Sequence, residues 1–192
     1  MNIANKITIS RIVLTFIFMI FLSMNGLWPK IVSLFVFIAA ALSDLIDGRI
    51  AQKRNMVTDF GKLMDPIADK ILVLSAFIAF VQMQIIDSWM VLIIMSREIL
   101  VTSLRLFALN KGKVLSAGRS GKHKTFSQMV LIFLILGFIL LREVRIAYYT
   151  WNPSWEDSFK LGIDVTMWIV VILTLYSGIS YLWENRKVIT NI

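Results

Sequence analysis

The sequence predicts an all-α polytopic membrane protein of six transmembrane helices, both termini cytoplasmic, folded as one domain over residues 1–192. Three observations carry this. Of its 192 residues, 58% are hydrophobic and the mean hydropathy is +0.77, against roughly 45–50% apolar content in soluble domains. Six apolar runs approach membrane-spanning length. Finally, Lys and Arg fall overwhelmingly on one side of those runs, as the positive-inside rule requires.

The runs justify themselves in order. Ile12–Leu27 is short, so Asn2–Arg11 is expected to begin its helix in the interface. Met1–Met24 has the outline of a signal peptide. However, Ser23-Met24-Asn25 suits cleavage poorly, and the segment reads as a retained first helix. Ile31–Asp47 ends in acidic residues and Ile67–Ile86 begins with them. Trp89–Leu109 encloses Arg97, while Phe126–Leu141 follows the basic stretch Gly121-Lys122-His123-Lys124-Thr125. Leu161–Trp183 closes the set, and residues 126–192 carry no other readable chemistry.

Orientation follows from the twenty Lys and Arg residues. Fifteen lie on the side of the termini and of the 48–66 and 110–125 connections, four on the other, and Arg97 sits inside a span. The first side is therefore cytoplasmic. Trp28, Trp89, Trp151 and Trp155 fall at the opposite interface, where an aromatic belt is expected. The cell membrane is thus the expected location, with the chemistry facing the cytoplasm.

The chain has no cysteine and one histidine, His123. Thiolate catalysis, disulfides and Cys-ligated metals are excluded. Any metal must be held by oxygen, which favours hard cations such as Mg²⁺, Mn²⁺ or Ca²⁺. The net charge of +8 points to lipid headgroups and phosphorylated substrates rather than nucleic acid. His123, between two lysines, reads as a solvated side chain.

Five of the twelve acidic residues lie between positions 44 and 69. Asp44 and Asp47 are spaced i,i+3, and Asp65 and Asp69 are spaced i,i+4, so each pair shares a helix face. The short connection makes the two helices neighbours, and four carboxylates can converge at the cytoplasmic edge. Two like charges about 4 Å apart repel by roughly 4 kcal/mol at an effective dielectric of 20. Such a cluster needs cations, and two divalent ions would neutralise it while serving phosphoryl chemistry. The plainer alternative is pairing with Arg49, Lys53, Arg54, Lys62 and Lys70 at a wet surface. Gly48 and Ala51 leave room beside the acids for a ligand to approach the backbone.

The pattern Asp44-x2-Asp47-Gly48-x2-Ala51-x9-Gly61-x3-Asp65-x3-Asp69 resembles the signature of the CDP-alcohol phosphatidyltransferase family. The resemblance implies a single six-helix membrane domain, usually a homodimer, that transfers a phosphatidyl group from CDP-diacylglycerol to an alcohol and releases CMP. It implies Asp44, Asp47, Asp65 and Asp69 as ligands of a two-metal Mg²⁺ or Mn²⁺ site, with Asp69 also the general base. Gly48, Arg49, Ala51, Gln52 and Gly61 would line the CDP-lipid site. One position departs: the family has Arg after the Ala, and here Gln52 stands there, with Arg49 one turn earlier able to reach the same anion.

Arg97 and Arg105 lie eight residues apart, about two helical turns, and share a face. With Lys122 and Lys124 they suit an acceptor that itself carries phosphate; ordinary positive-inside anchoring is the alternative for the lysines. Ser96–Arg105, Gly121–Thr125 and the amino-terminal Asn2–Arg11 resemble the phosphatidylglycerophosphate synthase branch, which implies glycerol 3-phosphate as acceptor. Glu98, adjacent to Arg97, reads as a poorly placed partner for it. Other acceptors (inositol phosphate, serine or phosphatidylglycerol), a divalent-cation transporter, and an inactive lipid-binding member marked by Gln52 are the competing readings.

Overall fold

The computed structural model describes residues 3–54, 59–113, 115, 120–148 and 153–189. Among them are six helices and no strand: α1 (Ile3–Ser23), α2 (Leu27–Arg54), α3 (Asp59–Gln82), α4 (Ser88–Asn110), α5 (Ser120–Tyr148) and α6 (Pro153–Ile189). Each encloses most of one predicted run. By length and hydropathy, Trp155–Arg186 within α6 is the one described helix able to cross a membrane. Thr8–Ser23, Leu27–Ser43 and Lys70–Gln82 are shorter apolar helices.

Helix ends depart from the predicted runs for local reasons. The first helix stops at Ser23 rather than Leu27, and the chain turns into α2 at Gly26 with φ +102°, a left-handed conformation that glycine takes without a Cβ penalty. Pro29 falls in the first turn of α2, where its missing N–H would have had no helical partner. Lys30 is buried and donates from Nζ to the Leu22 carbonyl, satisfying one of the unpaired acceptors at the end of α1. The third helix stops at Gln82 rather than Ile86. Gln84 takes φ 58°, while the amides of Gln84 and Ile85 bond the Val81 and Phe80 carbonyls at 2.9 and 3.0 Å. That is a Schellman closure with glutamine in the usual glycine position. Helix α4 closes the same way through Gly112 at φ +70°, where Gly112 and Lys113 bond the Leu109 and Ala108 carbonyls at 2.9 Å each.

The predicted 48–66 connection is largely helical, since α2 runs on to Arg54 and α3 starts at Asp59. The motif therefore sits on helices, not at the rim of a loop.

The chain divides into two compact units, Met1–Ala79 with Leu136–Asn152, and Phe80–Ile135 with Pro153–Ile192. In the first, α1 packs on α2 through fully buried Phe18 and Phe37, whose ring centroids are 5.3 Å apart. One face of α1 also buries Thr8, Arg11 and Thr15, with the Thr15 hydroxyl donating to the Arg11 carbonyl at 2.9 Å. Arg11, at the end of the stretch expected to begin this helix in the interface, is buried.

In the second unit α4 packs on α6, and three contacts give their relative direction. Trp89 meets Trp168 with centroids 5.4 Å apart, Arg97 meets Ser177, and the Arg105 guanidinium lies 6.0 Å from the Tyr181 ring centroid. Numbers rise together along both helices, so α4 and α6 are parallel. Val101, Ala108, Leu115 and Tyr181 bury one another beside them, with Leu104 half-buried against the cluster. The outward faces carry large apolar side chains such as Phe16, Phe35, Leu92, Phe126, Ile172 and Ile179.

Candidate active site

The acidic motif is set out on two helices of the first unit. Asp44 and Asp47, followed by Gly48, Arg49, Ala51 and Gln52, occupy the last three turns of α2. Gly61, Asp65 and Asp69 occupy the first turns of α3. The helical backbone keeps each acid pair one turn apart, as the spacing predicts. Pro66 also lies inside α3 and has no N–H for the Lys62 carbonyl, a departure from ordinary helix chemistry within the motif. The side chains of residues 44–66 and of Asp69 lie outside the described residues, as does that of Lys122. Among the described residues no group of three or more His, Asp or Glu is positioned to hold a metal.

The basic constellation belongs to the second unit, where its contacts are described. Glu98 is buried on α4. Its Oε1 accepts from Arg97 Nη1 at 3.2 Å and also from Nζ of Lys124, which is buried on α5. Sequence adjacency therefore does not separate Arg97 from Glu98, contrary to the expectation above. Two cations share one carboxylate oxygen, and the trio itself carries one net positive charge. Arg97 continues to α6, where its Nη2 donates to the Ser177 hydroxyl at 2.8 Å.

Several buried polar atoms in this unit have no hydrogen-bond partner: Arg97 Nε, Gln128 Nε2, Thr174 Oγ1 and Tyr181 OH. Buried polar groups are nearly always satisfied, and Arg97 Nε is the unpaired one that belongs to the charged trio. Arg105 is exposed and meets α6 one turn beyond Ser177 through Tyr181. Arg97 and Arg105 thus share the α6-facing side of α4, as their spacing predicts. His123 is exposed, as expected.

Sequence reasoning discounted Glu98 as a partner of Arg97 and missed Ser177 and Gly178. Glu98 carried a signal, an acid within an apolar run, where ionisable groups are rare and usually functional. Ser177 and Gly178 carried none, because small residues are common in packed apolar helices.

Glu98→Ala should destabilise the protein strongly. Removing one partner from a buried ion pair costs roughly 3–5 kcal/mol, and here one carboxylate serves two cations. A lowered unfolding midpoint in detergent would check this; an unchanged midpoint would argue against the trio.

The described residues are helical throughout their regular structure, with the Asp44–Asp69 signature on successive helices, and the family comparison gives the class, a phosphatidyltransferase. The profile of the CDP-alcohol phosphatidyltransferase family matches residues 1–179, and the chain belongs to that family. Among its relatives, the Bacillus subtilis protein named CDP-diacylglycerol–glycerol-3-phosphate 3-phosphatidyltransferase is 36% identical over 201 residues, covering 97% of each chain. The Rickettsia felis protein of the same name is 37% identical over 189 residues, covering 97% of this chain and 96% of the relative. A Mycobacterium tuberculosis H37Rv protein named probable phosphatidylglycerophosphate synthase is 32% identical over 183 residues, covering 94% and 79%.

Proposed function

We propose that this enzyme transfers the phosphatidyl group of CDP-diacylglycerol to glycerol 3-phosphate, releasing CMP and forming phosphatidylglycerophosphate. The observation that carries this is the 36% identity, over nearly the whole of both chains, to a relative bearing that activity in its name. The positive trio of Arg97, Glu98 and Lys124 supports a phosphorylated acceptor rather than a neutral alcohol, since guanidinium and ammonium groups recognise phosphate by charge-assisted hydrogen bonds.

The reaction is a single in-line displacement. An acceptor hydroxyl oxygen forms a bond to the lipid-bearing phosphorus, the bond from that phosphorus to the CMP oxygen breaks, and Asp69 takes the hydroxyl proton. Asp44, Asp47, Asp65 and Asp69 offer only oxygen donors, a set that fits Mg²⁺ or Mn²⁺. Two such ions, when bound, neutralise the pyrophosphate and the departing CMP. Gly48 and Ala51 leave room for the nucleotide end, Gly61 and Gln52 line the same CDP-lipid site, and Arg49, one turn from Gln52, reaches the pyrophosphate. Arg97, Arg105, Lys122 and Lys124 bind the acceptor phosphate and hold its hydroxyl for attack, so binding energy is converted into orientation.

Six spans with both termini cytoplasmic remain the preferred topology. The parallel course of α4 and α6 fits one intervening crossing by α5. The outward large apolar side chains suit lipid, and the fifteen-to-four distribution of basic residues sets the orientation. The family profile spans parts of both compact units, which supports a single functional domain; a homodimer in the cell membrane completes the reading.

The test is CMP release from CDP-diacylglycerol by the detergent-purified protein, with Mg²⁺ or Mn²⁺ and with or without glycerol 3-phosphate. Release should require both metal and acceptor. Release only with inositol phosphate, serine or phosphatidylglycerol would overturn the acceptor and keep the chemistry. Absence of release with every acceptor would overturn the activity.

A further inference from the structure

We propose that Ser177 and Gly178 of α6 are positioning residues for Arg97, holding its guanidinium in one orientation with Nε–H left unpaired for the acceptor phosphate. The inference rests on the reading of Arg97 as a phosphate-binding group, and it gives the apolar sixth helix a part in acceptor selection.

Arg97 is a long side chain that would ordinarily sample many rotamers, at an entropic cost of up to about 2 kcal/mol when fixed. Three contacts fix it here. Nη1 is held by Glu98 at 3.2 Å and Nη2 by the fully buried Ser177 hydroxyl at 2.8 Å. The third contact is with a missing side chain. A Cβ built on Gly178 would stand 3.1 Å from Arg97 Cγ and 3.8 Å from its Nε. The arginine stem therefore lies where any larger residue at position 178 would be. Glycine inside a helix costs roughly 1 kcal/mol relative to alanine, and close passage of the arginine explains its presence.

What these contacts leave over is as informative. Nε–H is buried and has no acceptor. Nε and Nη2 form the side-on edge of a guanidinium, the geometry that meets two oxygens of one phosphate. Ser177 takes up one of the two Nη2 hydrogens, and Nε–H is the donor left over. A guanidinium anchored at Nη1 and Nη2 with Nε–H unpaired is preorganised, so a phosphate that reaches it pays little to order it.

The experiment uses the full chain in detergent, with glycerol 3-phosphate varied at saturating CDP-diacylglycerol, and then the reverse. Ser177→Ala and Gly178→Ala should each raise the acceptor KM about tenfold, the size expected for loss of one charge-assisted hydrogen bond. The KM for CDP-diacylglycerol and the unfolding midpoint should stay near wild type. Arg97→Lys should also raise the acceptor KM, and adding Ser177→Ala to it should change nothing further, because the ammonium has no fork to orient. Unchanged acceptor KM in both Ser177→Ala and Gly178→Ala, with Arg97→Lys still impaired, would overturn the positioning role and leave Arg97 as a phosphate ligand. Unchanged acceptor KM in Arg97→Lys and Arg97→Ala would overturn the acceptor-site reading itself. A rise in both KM values together with a lowered midpoint would reduce Ser177 and Gly178 to packing.

Discussion

Asp69→Asn is expected to reduce CMP release by about 10²–10⁴-fold, the range over which a positioned general base contributes. The amide keeps the volume of the carboxylate but cannot take the acceptor proton at neutral pH. It also removes one negative charge from a set of four that would hold divalent ions, so the dependence on Mg²⁺ or Mn²⁺ should shift to higher concentration. Asp69 lies one turn after Asp65 on α3, on helical backbone, so the substitution should leave the unfolding midpoint nearly unchanged. Release at the wild-type rate would remove Asp69 from the chemistry and leave the other three acids to explain the motif.

Arg97→Ala is expected to lower kcat/KM for glycerol 3-phosphate by on the order of 10²–10³-fold, since truncating one member of a buried hydrogen-bonded charge set costs roughly 2–5 kcal/mol. Its effect on stability should be smaller than that of Glu98→Ala. Losing Arg97 leaves Glu98 paired with Lys124, whereas losing Glu98 strips a shared carboxylate from two cations. The two substitutions therefore separate recognition from folding at neighbouring positions. Steady-state kinetics alongside unfolding in detergent would check the contrast. Equal losses of stability, with no selective loss of acceptor use, would overturn it.

The acidic motif was legible because its chemistry is local. Asp44, Asp47, Asp65 and Asp69 fall within 26 residues on consecutive helices, and helical spacing alone tells which of them share a face. Helix number and order were legible for the same reason, since apolar runs and flanking charges are properties of contiguous chain. The ends were less so: the turn at Gln84 depends on a left-handed residue that is not glycine, and nothing in its side chain announces that conformation.

The basic site divides along the same line. That Arg97 sits in an apolar run and shares a face with Arg105 follows from sequence, and both do meet α6. What surrounds Arg97 does not follow. Ser177 lies 80 positions away, and Lys124 reaches Glu98 across 26; in a linear pattern each is one small or basic residue among many. By itself, then, the sequence determined the helices, the oxygen-donor motif and the family, because those depend on residues near one another along the chain. Only the tertiary structure decided that Glu98 joins two cations and that the sixth helix grips Arg97 through Ser177 and Gly178, because parallel packing of α4 on α6 is what brings those distant positions within hydrogen-bond reach.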